Sequence, residues 1–177
     1  MTNHVVLAVL LAGLFCGWNA NAEEDMAAQS TLLGTKAVTQ IGIVVKDIEK
    51  TSLAFAQLMG MEVPQVSITD AVEQAHTLYQ GQSTAARAKL AFFRLENITI
   101  EFIEPVDKPS TWQEFLDTHG EGVHHIAFEI KGSDEKIQAL GAIGMPMIQK
   151  GDYQGGRYSY VDSAGPLGVI LELLENY

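Results

Sequence analysis

The sequence predicts an α+β protein in which two tandem βαβββ modules form a curled mixed sheet around a metal-containing cavity. The prediction begins with a repeat, because the strand pattern of residues 40–46 returns at residues 125–131. Each copy leads into an amphipathic helical pattern that ends in Gly-Met, and each half closes on an apolar strand that contains glutamate. A four-stranded sheet with one helix cannot cover both of its faces, so two such sheets are expected to pack side by side around a shared cavity.

The first module is expected over about residues 38–105. Its opening strand is a β-branched apolar run, and Asp47 is a suitable N-cap for the helix that follows and ends near Gly60. A turn at Glu96 and Asn97 separates two apolar runs that read as a hairpin. In order, the predicted elements are a strand over 38–45, a helix over 48–59, one strand with polar material within 63–79, and strands over 89–95 and 98–104.

A connecting helix and a second module complete the predicted single domain, which spans residues 38–175. The connecting helix occupies about residues 110–119 and begins at a capping serine, Ser110. The second module spans about residues 123–175 and repeats the order of the first. Its predicted elements are a strand over 123–130, a helix capped by Ser133 and Asp134 that ends near 143, a short strand over 145–149, and a hairpin of 157–161 with 168–174 about a turn at 162–166.

The N-terminus has the pattern of a secretory signal peptide over residues 1–22. Residues 5–18 form an apolar run, and Ala20-Asn21-Ala22 supplies the small residues for cleavage after Ala22. No lysine or arginine precedes the apolar run, so an uncleaved membrane-anchoring helix or a misassigned start stays the alternative. Residues 23–36 are polar and unpatterned, which indicates a flexible leader. We therefore expect an exported protein, periplasmic or secreted, with no stable membrane insertion once it is processed.

Composition limits the partners and the ligands. The chain has 177 residues, of which 47% are hydrophobic, and its formal net charge is −11. A surface this acidic repels phosphate backbones, so nucleic acid is not an expected partner. Cys16 is the only cysteine of the sequence and lies in the predicted signal peptide. A metal site in the processed protein is therefore expected to use nitrogen and oxygen ligands.

The candidate metal ligands are four polar side chains on the repeated strands: Gln40, Glu101, His125 and Glu172. Side chains alternate faces along a strand, and the repeat puts these four at equivalent points of its two halves. A carboxylate amid apolar residues is costly to bury unless it is paired or binds a metal, although an outward, solvated position is the alternative for each glutamate. One imidazole, one amide oxygen and two carboxylates suit a divalent ion such as Zn, Ni, Co or Mn.

The repeat and the strand order resemble the vicinal oxygen chelate superfamily, which includes glyoxalase I, methylmalonyl-CoA epimerases, extradiol dioxygenases and bleomycin-resistance proteins. Within it, residues 115–130, 155–157 and 170–173 look most like the methylmalonyl-CoA epimerases. The resemblance implies a metal-dependent isomerase or epimerase for a small-molecule carbonyl substrate. Such an enzyme abstracts a proton α to the carbonyl and holds the enediolate on the metal. It also implies that His125 binds the metal and that His124 is structural.

The same resemblance assigns the proton transfer to Glu172 in the last strand. An epimerase needs a second acid or base on the opposite face of its substrate, for which Glu73 and His76 are candidates, with a solvent-facing position as the alternative. Arg157, which follows two glycines, is the candidate for binding an anionic group of the substrate, with a surface arginine in a loop as the alternative. Dimers are common among similar proteins, so a homodimer is an expectation to test.

One departure from the epimerase pattern keeps the reaction open. The first ligand position is usually His in the epimerases, whereas this chain has Gln40. A Gln, Glu, His, Glu set resembles glyoxalase I instead, so a lactoylglutathione-lyase type of activity is the alternative enzyme. A metal-free protein that binds a small ligand in the same cavity is the alternative from another functional class.

Overall fold

Ten strands form one mixed sheet in the computed structural model, which describes residues 31–177. The predicted signal peptide, and the leader as far as residue 30, lie outside the described residues. In chain order the strands are β1 (Gln40–Val44), β2 (Ser67–Ile68), β3 (Leu78–Tyr79), β4 (Gln82–Ser83), β5 (Ala88–Arg94), β6 (Thr99–Pro105), β7 (Gly122–Glu129), β8 (Met147–Tyr153), β9 (Gly156–Val161) and β10 (Ile170–Asn176).

The two modules have the same internal order. Strands β2, β5, β6 and β1 follow one another across the sheet in the first module, as β8, β9, β10 and β7 do in the second. In each module the first and last strands run parallel, and β1 pairs with β7 in antiparallel orientation to join the modules. Side chains of β2 and β8, which are far apart in the sheet order, line one cavity. The sheet is therefore curled, and the predicted α+β class with its curled mixed sheet is confirmed.

Five helices lie between these strands in the described part of the chain. The first begins after Asp47, whose side chain accepts a hydrogen bond from the backbone N–H of Lys50, and it ends at Gly60 in the left-handed region with φ of 64°. Ser110 caps the connecting helix in the same way, through the N–H of Gln113. The helices are α1 (Ile48–Met59), α2 (Val72–Ala75), α3 (Thr111–His119), α4 (Ser133–Ala142) and α5 (Ala164–Leu167).

The cap of α4 differs from the sequence prediction, which assigned it to Ser133 and Asp134. Gly132 is the N-cap residue and has no side chain to offer, while Ser133 is already the first helical residue. The carboxylate of Glu175 instead accepts hydrogen bonds from the N–H groups of Gly132, at 2.6 Å, and Ser133, at 3.2 Å. A distant strand therefore supplies the acceptor that a local side chain was expected to provide.

The region 63–79 contains more structure than the single strand predicted for it. Strand β2 pairs with β5 of its own module, whereas β3 and β4 form a small hairpin that pairs with β8 of the second module. These strands have two residues each, so they show no apolar alternation. Their pairing depends on partners that are distant in sequence, and local patterning missed them for that reason.

Two boundaries in the second module were also predicted wrongly. Strand β8 extends to Tyr153 rather than ending near residue 149. Gly151 permits the extension, because a Cβ at this position would lie 2.7 Å from Cε1 of Tyr158 on the neighbouring strand. The turn expected at 162–166 contains the short helix α5, and β10 begins at Ile170.

Apolar clusters hold the helices against the sheet. Aromatic rings pack edge to face where α1 meets β5 and β6, with the ring centroids of Phe55 and Phe93 4.8 Å apart. A second cluster includes Trp112 of α3 and Tyr160 of β9, and a third includes Leu140 of α4. Within residues 31–177, the helices are too short or too polar to cross a membrane.

Candidate metal centre and cavity

The central strands bring a histidine and two glutamates to one buried point. Gly42 of β1 lies opposite Glu101 of β6 on one side and His125 of β7 on the other, so these two side chains meet across β1. Nε2 of His125 lies 3.4 Å from Oε2 of Glu101 and 3.1 Å from Oε2 of Glu172 on β10. All three residues are buried, and their potential ligand atoms lie within 4.8 Å of one another.

Gln40 completes the set that the sequence predicted. Its Nε2 donates to Oε2 of Glu101 at 2.7 Å and approaches Oε2 of Glu172 at 3.5 Å. Amide nitrogen and oxygen differ by a half-turn of the terminal group, so the same side chain can present its oxygen to an ion at this point. The structure therefore brings all four candidates together, while their roles as ligands stay predictions.

A glycine makes room for the imidazole. A Cβ on Gly42 would lie 1.9 Å from Cε1 of His125, a distance that no pair of real atoms tolerates. The ring of His125 therefore occupies the space above the β1 backbone that a side chain would otherwise fill. The sequence marks this position only as a glycine within a strand, a recognised sign of close approach by another group.

The electrostatics of the three buried groups fit a cation. Burial lowers the pKa of His125, but the close carboxylates of Glu172 and Glu101 outweigh that effect and raise it to about 10. Burial raises the pKa of Glu101, which its contact with His125 opposes. In the metal-free protein these carboxylates thus hold a proton on the imidazole. A divalent ion offers them more positive charge at the same point.

The donor geometry also fits a divalent metal. Nε2 of His125 is buried and makes no well-directed hydrogen bond to any described residue, although two carboxylates lie nearby. Buried polar atoms normally have a hydrogen-bond partner, so an imidazole nitrogen without one beside two carboxylates is a position that an ion can fill. Two carboxylates and one imidazole form an all-nitrogen-and-oxygen set, which is suited to Zn, Ni, Co or Mn.

His124 does not belong to the candidate ligands but contacts one of them, His125. It is buried, and burial followed by the neighbouring charge of His125 lowers the pKa of His124 well below its usual value. Its Nδ1 lies 3.0 Å from Nδ1 of His125, so a neutral His124 can accept a hydrogen bond there and leave Nε2 of His125 free for the centre. The structure thus links the two histidines directly, a contact that strand alternation did not predict.

A cavity of about 390 Å³ opens beside the candidate ligands. Its wall contains Tyr160, which lies opposite Glu172 in the register of β9 and β10. The indole Nε1–H of Trp112 donates to the hydroxyl oxygen of Tyr160 at 3.0 Å. Aromatic and aliphatic side chains make up much of the remaining wall: Ile68, Leu90, Phe92, Tyr153, Tyr158 and Leu174.

Tyr160 is a functional candidate that sequence reasoning missed. Trp112 occupies a lone pair of its hydroxyl oxygen, so the O–H proton is available to an acceptor in the cavity. Burial and the nearby charges of Glu172 and Glu101 raise the pKa of Tyr160 well above its usual value, which keeps the proton in place. With the correct turn length, the register of the hairpin would have placed Tyr160 opposite Glu172. The sequence analysis gave the turn the wrong length and therefore did not find this pair.

Three other predicted site residues lie away from the cavity wall. Glu73 is exposed on α2, and the imidazole of His76 at the end of that helix is 69% exposed. Nδ1 of His76 lies 3.0 Å from Oδ2 of Asp152, which does line the cavity. Arg157 is one residue out of phase with Tyr158 and Tyr160, and alternation turns it to the opposite face of β9.

The surroundings of Arg157 explain its orientation. Its Nη1 lies 3.5 Å from Oδ1 of Asp134 on α4, and its Nε lies 3.8 Å from Oδ1 of Asp152. Its guanidinium carbon also lies 5.9 Å from the ring centroid of Tyr177. The structure therefore gives Arg157 acidic and aromatic partners, of which Asp152 lines the cavity, and does not bring Arg157 itself to the cavity wall.

Comparison with known proteins shows where this architecture recurs. The family model described as glyoxalase/bleomycin resistance protein/dioxygenase superfamily matches residues 39–161. The chain is 31% identical over 101 residues to the uncharacterized protein YqjC of Bacillus subtilis, a match that covers 55% of this chain and 72% of that protein. It is 26% identical over 148 residues to a 2-epi-5-epi-valiolone epimerase of an Actinomyces species, with 80% of each chain covered.

Solved structures show the same fold. A methylmalonyl-CoA epimerase from Mycobacterium tuberculosis matches with a TM-score of 0.57 and 19% identity, covering 84% of this chain and 91% of that one. The hypothetical protein BH1468 from Bacillus halodurans matches with a TM-score of 0.56 and 24% identity, covering 79% and 94%. At these identities the structural matches establish the architecture, and function has to be argued from the site itself.

Proposed function

Since the chain belongs to the glyoxalase/bleomycin resistance protein/dioxygenase superfamily, we propose that it is a divalent-metal-dependent enzyme that abstracts a proton α to a carbonyl. Epimerase or isomerase chemistry is the form we favour. The observation that carries the proposal is the convergence of Glu101, His125 and Glu172 at one buried point on the wall of a cavity. The relative named as a 2-epi-5-epi-valiolone epimerase supports this reaction class.

The proposed metal ligands are the four side chains of the centre, of which Glu172 also has a role in proton transfer. Glu101, His125 and Glu172 would hold the ion, with Gln40 as the fourth ligand through its amide oxygen. The two carboxylates balance the charge of a divalent ion, which keeps the buried site close to neutral. When bound, the ion would supply Lewis-acid polarisation of the substrate carbonyl.

Proton transfer is assigned to Glu172, as the sequence analysis proposed. Its side chain is buried, and it lines the cavity next to the centre. A carboxylate there can take the α-proton and return it, and the planar enediolate between these steps is what allows epimerisation. The hydroxyl of Tyr160 faces the same cavity and is placed to donate a hydrogen bond to a developing enediolate oxygen.

Return of the proton to the opposite face of the substrate requires a second group. Glu73 and His76 do not line the cavity, so we assign this role to Asp152, which is one of the lining residues. His76 then acts through Asp152, because its Nδ1 lies 3.0 Å from Oδ2 of that residue. Solvent exposure of His76 keeps this pair in contact with bulk water, from which a proton can be exchanged.

A glyoxalase I-like lyase is the second candidate. It shares proton abstraction at the metal centre, and one observation favours it: the side-chain amide of Gln40 contacts both carboxylates of the centre. Such a lyase acts on a hemithioacetal, which is a different substrate class from that of an epimerase. A metal-free binding protein would use the same cavity without chemistry.

Metal analysis and solvent-deuterium exchange test the proposal together. We expect about one Zn, Ni, Co or Mn per chain after mild purification, and loss of that metal in Glu101→Gln and His125→Gln. The metal-loaded protein should incorporate deuterium from solvent into a member of a panel of acyl-CoAs, hemithioacetals and 2-oxo compounds. Glu172→Gln should abolish incorporation, whereas Glu96→Gln, a change at an exposed residue, should not.

Two results would contradict the enzyme proposal. The first is a protein that binds none of these metals with its four candidate ligands intact. The second is a metal-loaded protein whose deuterium incorporation is the same in Glu172→Gln as in the unaltered chain. The compound that exchanges also separates the two enzyme candidates, because a hemithioacetal identifies the lyase.

We also propose that the chain is exported and that residues 1–22 are removed. The support is the apolar run and the small residues that end at Ala22. N-terminal sequencing of the protein from the cell envelope or medium should begin at Glu23. A protein that keeps Met1 would overturn the export proposal and leave the enzyme proposal unaffected.

A further inference from the structure

We propose, resting on the function proposed for the same site, that the cavity binds an uncharged, hydroxyl-bearing carbonyl compound. A polyhydroxy ketone represents this class, whereas carboxylic acids and phosphate esters are discriminated against. The charge of the cavity wall and the orientation of its hydroxyl groups carry the inference. The inference concerns which compound the cavity binds and makes no statement about the reaction that follows.

The charged side chains on the cavity wall are carboxylates. They belong to Asp70, Glu101, Asp152 and Glu172, and within residues 31–177 no lysine or arginine lines the cavity. A divalent ion would balance Glu101 and Glu172. Asp70 then leaves its part of the wall negative, so an anionic group near it meets repulsion and finds no lysine or arginine on the described wall to pair with.

Arg157, the cation that the sequence analysis assigned to the substrate, pairs with other groups. Arg157 lies on the opposite face of β9, next to Asp134 and within 5.9 Å of the ring centroid of Tyr177. Asp152 lies 3.8 Å from Nε of Arg157, whereas the exposed Asp70 has no hydrogen bond or ion pair to any other described side chain. Asp70 is therefore the residue that most directly sets the sign of charge at the cavity.

The uncharged groups on the wall suit hydroxyls and C–H faces. Tyr160 presents an O–H whose oxygen is already bonded to Trp112, and the hydroxyl of Tyr158 is similarly engaged by Gln149, at 3.3 Å. These tyrosines are therefore donors toward the cavity, while Asp70 is an acceptor for a substrate hydroxyl. Phe92 and Trp112 offer aromatic surface, against which the C–H face of a polyol packs favourably.

The volume is consistent with a small compound. About 390 Å³ lies near the lower end of the range for small-molecule sites, which is about 300–1,000 Å³. A cyclic ketone with several hydroxyls fits this space, and its carbonyl can point at the centre while its hydroxyls face the tyrosines and Asp70. A nucleotide-bearing thioester would place its phosphates beside a surface that offers them repulsion rather than ion pairs.

A matched pair of cyclic ketones tests the inference. 2-Keto-myo-inositol is uncharged, and 3-dehydroquinate is a polyhydroxy ketone of similar size that carries a carboxylate. In calorimetric titrations of the full metal-loaded chain, we expect the uncharged compound to bind at least about 10-fold more tightly, the penalty for one like charge at short range. Equal or tighter binding of 3-dehydroquinate, or binding of neither compound, overturns the proposal.

Charge reversal localises the effect. Asp70→Lys should tighten 3-dehydroquinate binding by about 10-fold and leave 2-keto-myo-inositol binding within a few-fold of its original value. Asp70→Asn should give an intermediate shift, and it serves as the milder variant if the lysine disturbs folding. Glu96→Lys makes the same change in net charge at an exposed position outside the cavity wall and should change neither affinity. Equal effects of Asp70→Lys and Glu96→Lys would overturn the proposal.

Deuterium exchange separates this inference from the function on which it rests. If the protein binds 2-keto-myo-inositol selectively but exchanges no proton, the recognition holds and the enzymatic function fails. If it exchanges protons preferentially in anionic compounds, the enzymatic function holds and the recognition is wrong.

Discussion

Single residues decide whether the candidate metal centre can form. Gly42 is flanked by Glu101 and His125 in the sheet register, and its missing side chain is the space that the imidazole occupies. Tyr160 has a comparable role on the cavity side, because the hydrogen bond from Trp112 fixes its hydroxyl at the cavity wall. Gly42 contributes by having no side chain, and Tyr160 contributes through its hydroxyl. Each role can therefore be tested by adding or removing a single chemical group.

Gly42→Ala should expel His125 from the centre. The added Cβ would lie 1.9 Å from Cε1 of His125, so the ring or the β1 backbone has to move. We expect loss of metal by elemental analysis and a fall of about 1–3 kcal/mol in the free energy of unfolding, the usual cost of overpacking. Gly141→Ala, which meets no atom within 4 Å, is the matched control and should retain metal. Full metal content in Gly42→Ala would contradict the observed packing.

Tyr160→Phe should slow the reaction without emptying the metal site. Removal of one donor to a developing oxyanion typically lowers kcat by about 100-fold or more, whereas KM and the metal content should change little. Tyr79→Phe removes a hydroxyl that bonds Glu114 away from the cavity and should leave kcat unaltered. A change confined to KM, or equal effects of both variants, would assign Tyr160 to the cavity wall alone.

At the level of elements, the last strand of each module carries two glutamates, one that faces the candidate metal centre and one that binds the start of a helix. Glu101 and Glu172 face the centre, and residues three positions further on face the other side of the sheet because side chains alternate. There Glu104 accepts from the backbone N–H of Ile48 in α1, at 2.8 Å, and Glu175 accepts from Gly132 and Ser133 at the start of α4. The repeat therefore encodes both the site and the attachment of each module's helix.

Glu175→Gln should destabilise the protein in a pH-dependent way. Hydrogen bonds from Ser133 and Gly132 lower the pKa of Glu175 below its ordinary value of 4.5. Its stabilisation is therefore present above about pH 4.5 and is lost as the pH falls through the lower, folded-state pKa. Urea unfolding should show a deficit of about 1 kcal/mol at pH 7, typical of a lost cap, that shrinks in more acidic solution.

The exposed Glu62→Gln is the control for that comparison and should show no deficit at either pH. A deficit in Glu175→Gln that stays constant from pH 7 into the acid range would rule out the charged cap as its origin.

Across the whole molecule, the modules are joined at more than one place. Strands β1 and β7 pair at the centre, and the β3–β4 hairpin of the first module adds to β8 of the second. Gln149 of β8 is fully buried, and its Oε1 accepts from the N–H of Thr111 at the start of α3. The centre takes Glu101 from one module and His125 with Glu172 from the other, so it requires the joined molecule.

Gln149→Leu should weaken this junction. The N–H of Thr111 would lose its acceptor, and an unsatisfied buried donor costs about 1–3 kcal/mol. Chemical unfolding should therefore show a lower stability than that of Gln113→Leu, which removes a hydrogen bond to Asp117 on the surface of the same helix. Equal stabilities of the two variants would mean that water or a shifted backbone satisfies Thr111.

The sequence by itself determined the α+β class with its two repeated modules, the helix of each module and the convergence of Gln40, Glu101, His125 and Glu172. It could do so because a duplicated pattern places equivalent residues on equivalent strands, and alternation then sets their faces. The same reasoning was unable to place Arg157, because its face depends on the register of a hairpin whose turn length was not known.

The tertiary structure alone decided the contacts between residues distant in sequence. Trp112 reaches Tyr160 from another element, His76 meets Asp152 across the modules, and Glu175 caps a helix from a later strand. None of these pairs has a periodic signature, since each depends on where a strand or loop lies after packing. Periodicity in the sequence indicates on which face of a strand or helix a side chain lies. The residue that it contacts on that face depends on how distant parts of the chain pack together.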